Sequence, residues 1–368
     1  MGRENKLLSL LLREIEQSPS HTISCEHYMT QALYHPQWGY YQRDRLKVGK
    51  EGDFYTSPVV SPIFARSLGK KLLEMSRDFD QWQVVELGAG DGRLCAHLWE
   101  VWEQIGGGPQ RYYLLETSKY HRCLQSDRLQ PLLTSDRCQW IDQLSDVCRK
   151  EPVIVISNEF FDALPVHRVR RGERGWELGV VTKSTDGQGL AEDFCSPPTY
   201  MEKQIGAYFD LLGTTLEKGQ IVEVAFSAQK WWKQITDHLT QAIVVTIDYG
   251  GEMEEVYHSG RLEGSLRCFR NHRVHRRWLT CPGESDITYD VNFTALHKWA
   301  EQLGWRRVSY ESQGSFLVGA GILEEIAVTA EYQDPFCAAA RERRAVMQLI
   351  LPEAMGEVFK VMIHAKGC

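Results

Sequence analysis

The sequence predicts an α/β fold built on a doubly wound, mostly parallel sheet. Three observations carry this expectation. Short, continuously apolar runs alternate with helical stretches from about residue 82 onward, as strands buried on both faces require. The first run, VVEL, leads straight into the glycine-rich loop GAGDGRL (88–94). The next strand then ends in an acid, Glu116, one strand–helix–strand step later.

QVVEL (83–87) is expected as the first strand. RLCAHLWEVWEQI (93–105) reads as a helix closed by Gly106, Gly107 and Gly108. RYYLLE (111–116), CQWI (138–141), VIVIS (153–157) and AIVVTID (242–248) supply further strands. WRRVSYESQGSFLVGAG (305–321) reads as a closing antiparallel hairpin, with helical segments after it. The expected division has an N-terminal helical cap region (1–79) and a core of 80–165 with 241–323. An inserted, substrate-facing subdomain (166–240) and a C-terminal extension (324–368) complete it. The insert is expected to hold a hairpin around WELGVVTKSTDGQGL and two helices, and 250–291 is a long Gly- and Arg-rich connection. Connections of this length inside a compact domain are usually functional.

The chain has 368 residues and a formal net charge of −7, which gives no general attraction to nucleic acid or to anionic membrane. No apolar run approaches the roughly 18 residues of a membrane span. The start, MGRENKLLSLLLREIEQ, reads as a short amphipathic helix rather than a signal peptide, because Ser9 and Arg13 break its apolar part. It also lacks the Arg-rich, acid-poor character of a mitochondrial presequence, so a bacterial cytoplasm is expected. The ten cysteines include no CxxC pair and are expected as reduced thiols.

In an open α/β sheet the ligand lies beyond the carboxyl ends of the strands. That places Gly88, Gly90, Asp91 and Gly92 at the ligand edge, with Glu86 two residues before the loop. The spacing is GxGxG, not the GxGxxG of a dinucleotide site, and no GK[ST] follows as in a P-loop. An acid beside the loop suits a cationic ligand better than a pyrophosphate. S-adenosylmethionine, with its sulfonium and ammonium, is such a ligand. A carboxylate at Glu116 can accept both ribose hydroxyls. Asp142, after the third strand, either reaches the adenine edge or is a solvated loop carboxylate.

SNEFFDALPVHR (157–168) follows the fourth strand, where side chains come next to a transferable methyl. Methyl transfer needs in-line geometry and a free lone pair on the nucleophile. For a guanidinium acceptor, Glu159 and Asp162 are candidates to bind and orient it, since carboxylates pair with guanidinium bidentately. Asn158 is placed to help. The plainer alternatives are that Asp162 caps the next turn and that Glu159 is solvated.

RLEGSLRCFRNHRVHRR (261–277) carries six arginines and two histidines with one acid. A nucleic-acid patch conflicts with the acidic net charge. An acidic partner surface, or internal pairing with carboxylates, fits better. His258, His272, His275, Cys268 and Cys281 match no common zinc spacing, so no metal is expected. GDFYTSP (52–58) is turn chemistry with two aromatics.

At this point the chain resembles the MidA family of class I methyltransferases. Mitochondrial members of that family are arginine methyltransferases needed for respiratory complex I assembly. The resemblance runs from about Ile23 to Leu323 and rests on ALYHPQWGYY (32–41), GKEGDFYTSPVVSPIFAR (49–66), VVELGAGDGRL (84–94) and SNEFFDALPVHR. IDYG (247–250), GSLRCFRNHRV (264–274), PGESDITYDVNFTAL (282–296) and SQGSFLVGAG (312–321) complete it. Ser265, Cys268 and Phe269 depart mildly from the family pattern, as do Val59 and Val60.

The resemblance implies a Rossmann-like class I methyltransferase sheet with a closing antiparallel hairpin and accessory elements. It implies S-adenosylmethionine as cofactor and S-adenosylhomocysteine as product. It also implies that Asp53, Phe54, Tyr55, Thr56 and Ser57 fold over the donor site, and that the acceptor is an arginine of a partner protein. The rival readings are a small-molecule methyltransferase and an assembly factor that binds the donor without turnover.

Overall fold

The computed structural model describes residues 5–45, 47, 62–327 and 337–368. The chain opens with helix α1 (Lys6–Gln17), as the amphipathic pattern predicts, capped by the Asn5 side chain. Its apolar stripe buries Leu7, Leu11 and Ile15. The short strand β1 (Ile23–Ser24), helix α2 (Cys25–Tyr34) and helix α3 (Pro62–Met75) follow.

The core begins with β2 (Gln83–Leu87), α4 (Arg93–Ile105), β3 (Arg111–Leu115), α5 (Lys119–Arg128), β4 (Cys138–Ile141) and β5 (Val153–Asn158). Each expected strand is present. Helix α4 ends at Gly106, whose φ of 78° is the left-handed cap that glycine favours. The insert then forms β6 (His167–Arg171), β7 (Trp176–Lys183), β8 (Leu190–Cys195), α6 (Thr199–Leu212), β9 (Ile221–Val224) and α7 (Phe226–His238). The core resumes at β10 (Ala242–Gly251). After it the Arg-rich connection folds as β11 (Arg267–Arg270), β12 (Arg273–His275) and β13 (Asp286–Thr288). The short strand β14 (Val291–Asn292), helix α8 (Phe293–Gln302), β15 (Arg306–Ser312), helix α9 (Gln313–Gly319), helix α10 (Ala338–Ile350) and β16 (Phe359–Lys366) close the chain.

The central sheet runs β15-β16-β10-β5-β2-β3-β4, and only β16 is antiparallel to its neighbours. Side chains alternate across it. Val84, Ile154, Ile156, Val245 and Ile247 pack into one core, and Val85, Leu87, Val155 and Val244 into the other. The order places β2 between β3 and β5, so the chain leaves β2 in opposite directions on its two sides. This is the topological switch point at which open α/β sheets bind ligands.

Two expectations at the C-terminus are corrected. Residues 305–321 do not form a hairpin by themselves: Arg306–Ser312 is a strand, but Gln313–Gly319 is a helix. The closing antiparallel partner is β16, which lies in the segment 324–368 that was expected as an extension. It inserts between β15 and β10, with Val244 opposite His364 and Val245 opposite Ile363.

A second, antiparallel sheet runs β1-β7-β6-β9, with β8 on β7, and β11 is the middle strand of a third. Glu223 of β9 locks these additions together. It takes Arg168 Nε at 3.3 Å and the Ser265 amide and hydroxyl at 2.8 and 2.9 Å. Ser265 Oγ in turn accepts the Asp290 amide at 2.9 Å. The Arg-rich connection is thereby held against the second sheet.

Candidate active site

A cavity of about 1020 Å³ opens at the switch point. Gly88, Gly90, Asp91 and Glu116 line one part of it, and Asn158, Glu159, Asp162, Tyr249 and Arg267 another. Tyr34 and Tyr41 reach in from the N-terminal region, and Trp231 from the insert.

The glycines of the loop have the positive φ angles that their residue type allows: 66° at Gly88, 53° at Gly90 and 79° at Gly92. A Cβ on Gly88 would lie 2.9 Å from Phe160 Cδ2. Above Gly90 the space is open, and a Cβ there would meet only Gly88 O, at 4.0 Å. Glu116 is buried beneath the loop. One of its oxygens accepts the Gly90 amide at 2.9 Å, the other the Ser118 amide at 2.7 Å. Ser118 also caps α5 and donates to Tyr41 O at 2.6 Å, which ties the N-terminal region to this edge. Gln125 Nε2 donates to Gly90 O at 2.7 Å. Asp91 is clamped by Arg93 and Arg128, each at 3.0 Å.

Glu86 lines the cavity and is buried, with Tyr112 Oη donating to it at 2.8 Å. Burial pushes its pKa up to about 8, against the opposing Tyr112 hydrogen bond. Asp142 lies outside the cavity. Its carboxylate is 84% exposed and pairs with Arg122 at 2.6 Å. Asp53, Phe54, Tyr55, Thr56 and Ser57 fall outside the described residues.

The turn after β5 is held by a residue that the sequence reading passed over. Asp248, near the end of β10, accepts the amides of Phe160, Phe161 and Asp162 on one oxygen, at 3.2, 3.0 and 3.3 Å. Its other oxygen takes the Tyr249 amide at 3.0 Å. Burial, then the neighbouring Asp162 and Glu159, raise its pKa. The IDYG segment was the available signal, an acid at the carboxyl end of a core strand. The same turn holds Glu159 at φ 51°, a strained value for a residue with a side chain.

Asn158 Nδ2 donates to Glu159 Oε1 at 3.3 Å, while Asn158 Oδ1 is buried with no hydrogen-bond partner among the described residues. Asp162 is buried too. Tyr249 Oη donates to its Oδ2, and its Oδ1 has no partner among the described residues. Burial lifts the Asp162 pKa to about 6, with the Tyr249 hydrogen bond and the Arg267 charge opposing. Arg267 lies over the Tyr249 ring at 4.6 Å and pairs with Asp290 at 2.6 Å. Tyr41 Oη donates to Asp286 at 2.8 Å and stacks on Tyr34, whose hydroxyl reaches Ala163 O at 2.8 Å. Asp286, Tyr34 and Tyr41 were not foreseen as site residues, although their segments belong to the quoted motifs.

These groups fit S-adenosylmethionine. An open glycine turn lies over a buried carboxylate, which leaves room for a nucleoside and offers its ribose an acceptor. The family model described as "Putative S-adenosyl-L-methionine-dependent methyltransferase" matches residues 65–311, which include the loop, Glu116, the Asn158–Asp162 turn and Asp248. The chain belongs to this family. The methyltransferase is 31% identical to "Protein arginine methyltransferase NDUFAF7, mitochondrial" of Danio rerio, over 92% of this chain and 82% of that protein. It is 27% identical to the Homo sapiens protein of the same name, over 92% of this chain and 78% of that one. It is also similar to a crystal structure of a Burkholderia thailandensis protein bound to S-adenosyl-homocysteine. There the identity is 28% and the TM-score 0.86, covering 99% of this chain and 93% of that one. The methyltransferase thus has the class I sheet and depends on S-adenosylmethionine. Among the described residues no helix is long and apolar enough to cross a membrane.

Proposed function

We propose that the methyltransferase transfers a methyl group to an arginine side chain of a partner protein. The observation that carries this reading is the buried Asp162 Oδ1, which has no side-chain partner among the described residues, in a cavity lined by Tyr34, Tyr41 and Phe269. A guanidinium is planar, cationic and weakly hydrated, so it suits a desolvated carboxylate flanked by aromatic faces. The arginine methyltransferase names of the relatives support the same acceptor.

In this reading Gly88, Gly90, Gly92, Asp91 and Glu116 hold the donor, and Glu86 lies behind them. S-adenosylmethionine supplies the methyl and leaves as S-adenosylhomocysteine. Asp162 and Glu159 bind the guanidinium and aim one nitrogen, and Asn158 helps to place it. As the N–C bond forms and the S–C bond breaks, the acceptor nitrogen gives up one proton to water or to a carboxylate. The segment 166–240 acts as the substrate-facing insert. The resemblance to the MidA family puts a respiratory complex I subunit first among the partners. Ten free cysteines, with Cys95 and Cys138 Sγ unbridged at 3.8 Å, suit a reducing compartment such as the cytoplasm.

The test is incubation of the enzyme and deuteromethyl S-adenosylmethionine with a lysate of the source organism, followed by mass spectrometry. Label on arginine of one or a few proteins supports the reading. Label confined to small molecules, or to other residue types, overturns it.

A further inference from the structure

The β11–β12 hairpin separates two hollows. Phe269 and Val274, which face each other in register, line the main cavity together with Arg267. The next pair along, Arg270 opposite Arg273, lines a second hollow of about 230 Å³ with His275, Arg277, Thr280 and Ser285. Arg270 has a carboxylate, Glu284, at 2.8 Å. Arg273 and Arg277 are exposed and have no ion-pair partner among the described residues. Arg43 approaches the same Glu284 at 3.9 Å, and Arg45 lies 3.5 Å from Asn271. Among the described residues arginine therefore outnumbers carboxylate here, in a chain whose net charge is −7. His275 Nδ1 is buried without a partner among the described residues, and burial with the charges of Arg277 and Arg270 lowers its pKa. A small hollow ringed by arginines suits carboxylates, which guanidinium groups bind bidentately.

We infer that this hollow binds an acidic stretch of the protein that carries the acceptor arginine, a few residues from the arginine itself. The inference rests on the proposed protein–arginine reading. The two faces of a strand ribbon present side chains roughly 10 Å apart. An extended chain covers about 3.3 Å per residue, so a peptide whose arginine enters the main cavity passes the hairpin in about three to five residues. A polypeptide fits better than RNA. The described lining residues include no Phe, Tyr or Trp on which bases could stack, and the chain as a whole is acidic.

The test uses three fluorescent peptides and the full chain with S-adenosylhomocysteine bound. One peptide has an arginine, a four-residue Gly/Ser spacer and Asp-Glu-Asp. The second replaces the acids with Asn-Gln-Asn. The third replaces the arginine with alanine. Anisotropy is read for wild type, Arg273→Glu/Arg277→Glu and Arg273→Ala/Arg277→Ala, and methylation of each peptide is read by mass spectrometry. The inference expects the acidic peptide to bind about tenfold tighter than the neutral one at low salt. Both variants should lose that advantage while keeping their affinity for S-adenosylhomocysteine. Equal binding of acidic and neutral peptides, no binding of either, or an advantage that survives both variants overturns it. So does tight binding of a single-stranded RNA that both variants abolish without any preference for the acidic peptide. An acidic preference that depends on Arg273 and Arg277, with no peptide methylated, upholds the hollow and removes the arginine-acceptor reading instead.

Discussion

Tyr249 donates its hydroxyl hydrogen to one oxygen of Asp162, and the other Asp162 oxygen is buried without a partner among the described residues. The first contact fixes the direction of the carboxylate. The second leaves it able to take a further donor, which in the proposed reaction is the acceptor guanidinium.

The protonation state of Asp162 then sets the acid limb of the pH profile. Its pKa is raised to about 6, chiefly by burial. Below that pH the carboxyl is neutral and cannot pair with a guanidinium. kcat/KM is expected to rise about tenfold per unit up to pH ~6 and then level. Asp162→Asn should lower turnover on the order of 100-fold and abolish this limb. Donor affinity should remain, as titration with S-adenosylhomocysteine would show.

Asp248 is expected to matter as much for stability as for rate. Removing its side chain strands four amides that it now accepts, three of them in the Phe160–Asp162 turn. Asp248→Ala should cost roughly 3 kcal/mol or more in urea denaturation, because buried unsatisfied amides cost about 1–3 kcal/mol each. Asp248→Asn keeps an acceptor oxygen and should cost less.

The buried acid under the loop gives a pH signature in stability. Burial raises the folded pKa of Glu86 to about 8 from its ordinary value of 4.5. Between those values the folded state binds the extra proton, so this contribution is present at low pH and is lost as pH rises through 8. Glu86→Gln removes the titration and leaves an acceptor for Tyr112. The Tm of Glu86→Gln relative to wild type should therefore increase from pH 5 to about pH 8 and level above it in thermal melts.

Glu159 stores backbone strain at φ 51°. Glu159→Gly should relieve it and raise stability by roughly 0.5–1 kcal/mol in denaturant titrations. The same change removes a proposed acceptor contact, so turnover should fall as stability rises. A fall in both would mean that the side chain supports the turn.

Much of the fold was legible locally. QVVEL, RYYLLE, CQWI, VIVIS and AIVVTID are short apolar runs flanked by polar or turn residues, and α4 stops where Gly106 stops it. The glycine loop and Glu116 are neighbours in the structure because strand order at a switch point makes them so. What escaped the sequence is nonlocal. FKVMIHAK is interrupted by Lys360 and His364, so it lacks the continuous apolar run of the other core strands, and its pairing partner begins at Ala242, more than a hundred residues away. The Ala/Arg-rich helix of 338–350 dominates the tail's local pattern. Asp248 acts on a turn 86 to 88 positions distant, which no periodicity reports. Asp142 sits after its strand as predicted, yet Arg122 draws its side chain outward. Tyr41 and Tyr34 are brought to the cavity by nonlocal contacts, Tyr41 to Ser118 and Asp286 and Tyr34 to Ala163 O.

The central claim, that Gly88–Gly92 and Glu116 form the donor site, is tested most directly by calorimetric titration with S-adenosylhomocysteine and NAD. Wild type, Gly90→Val and Glu116→Gln would be compared. Valine at φ 53° would be strained and would fill the open space above the turn. The account predicts that S-adenosylhomocysteine binds wild type, that each variant weakens it by about tenfold or more, and that NAD does not bind. Undiminished binding in both variants, or binding of NAD in its place, would contradict it.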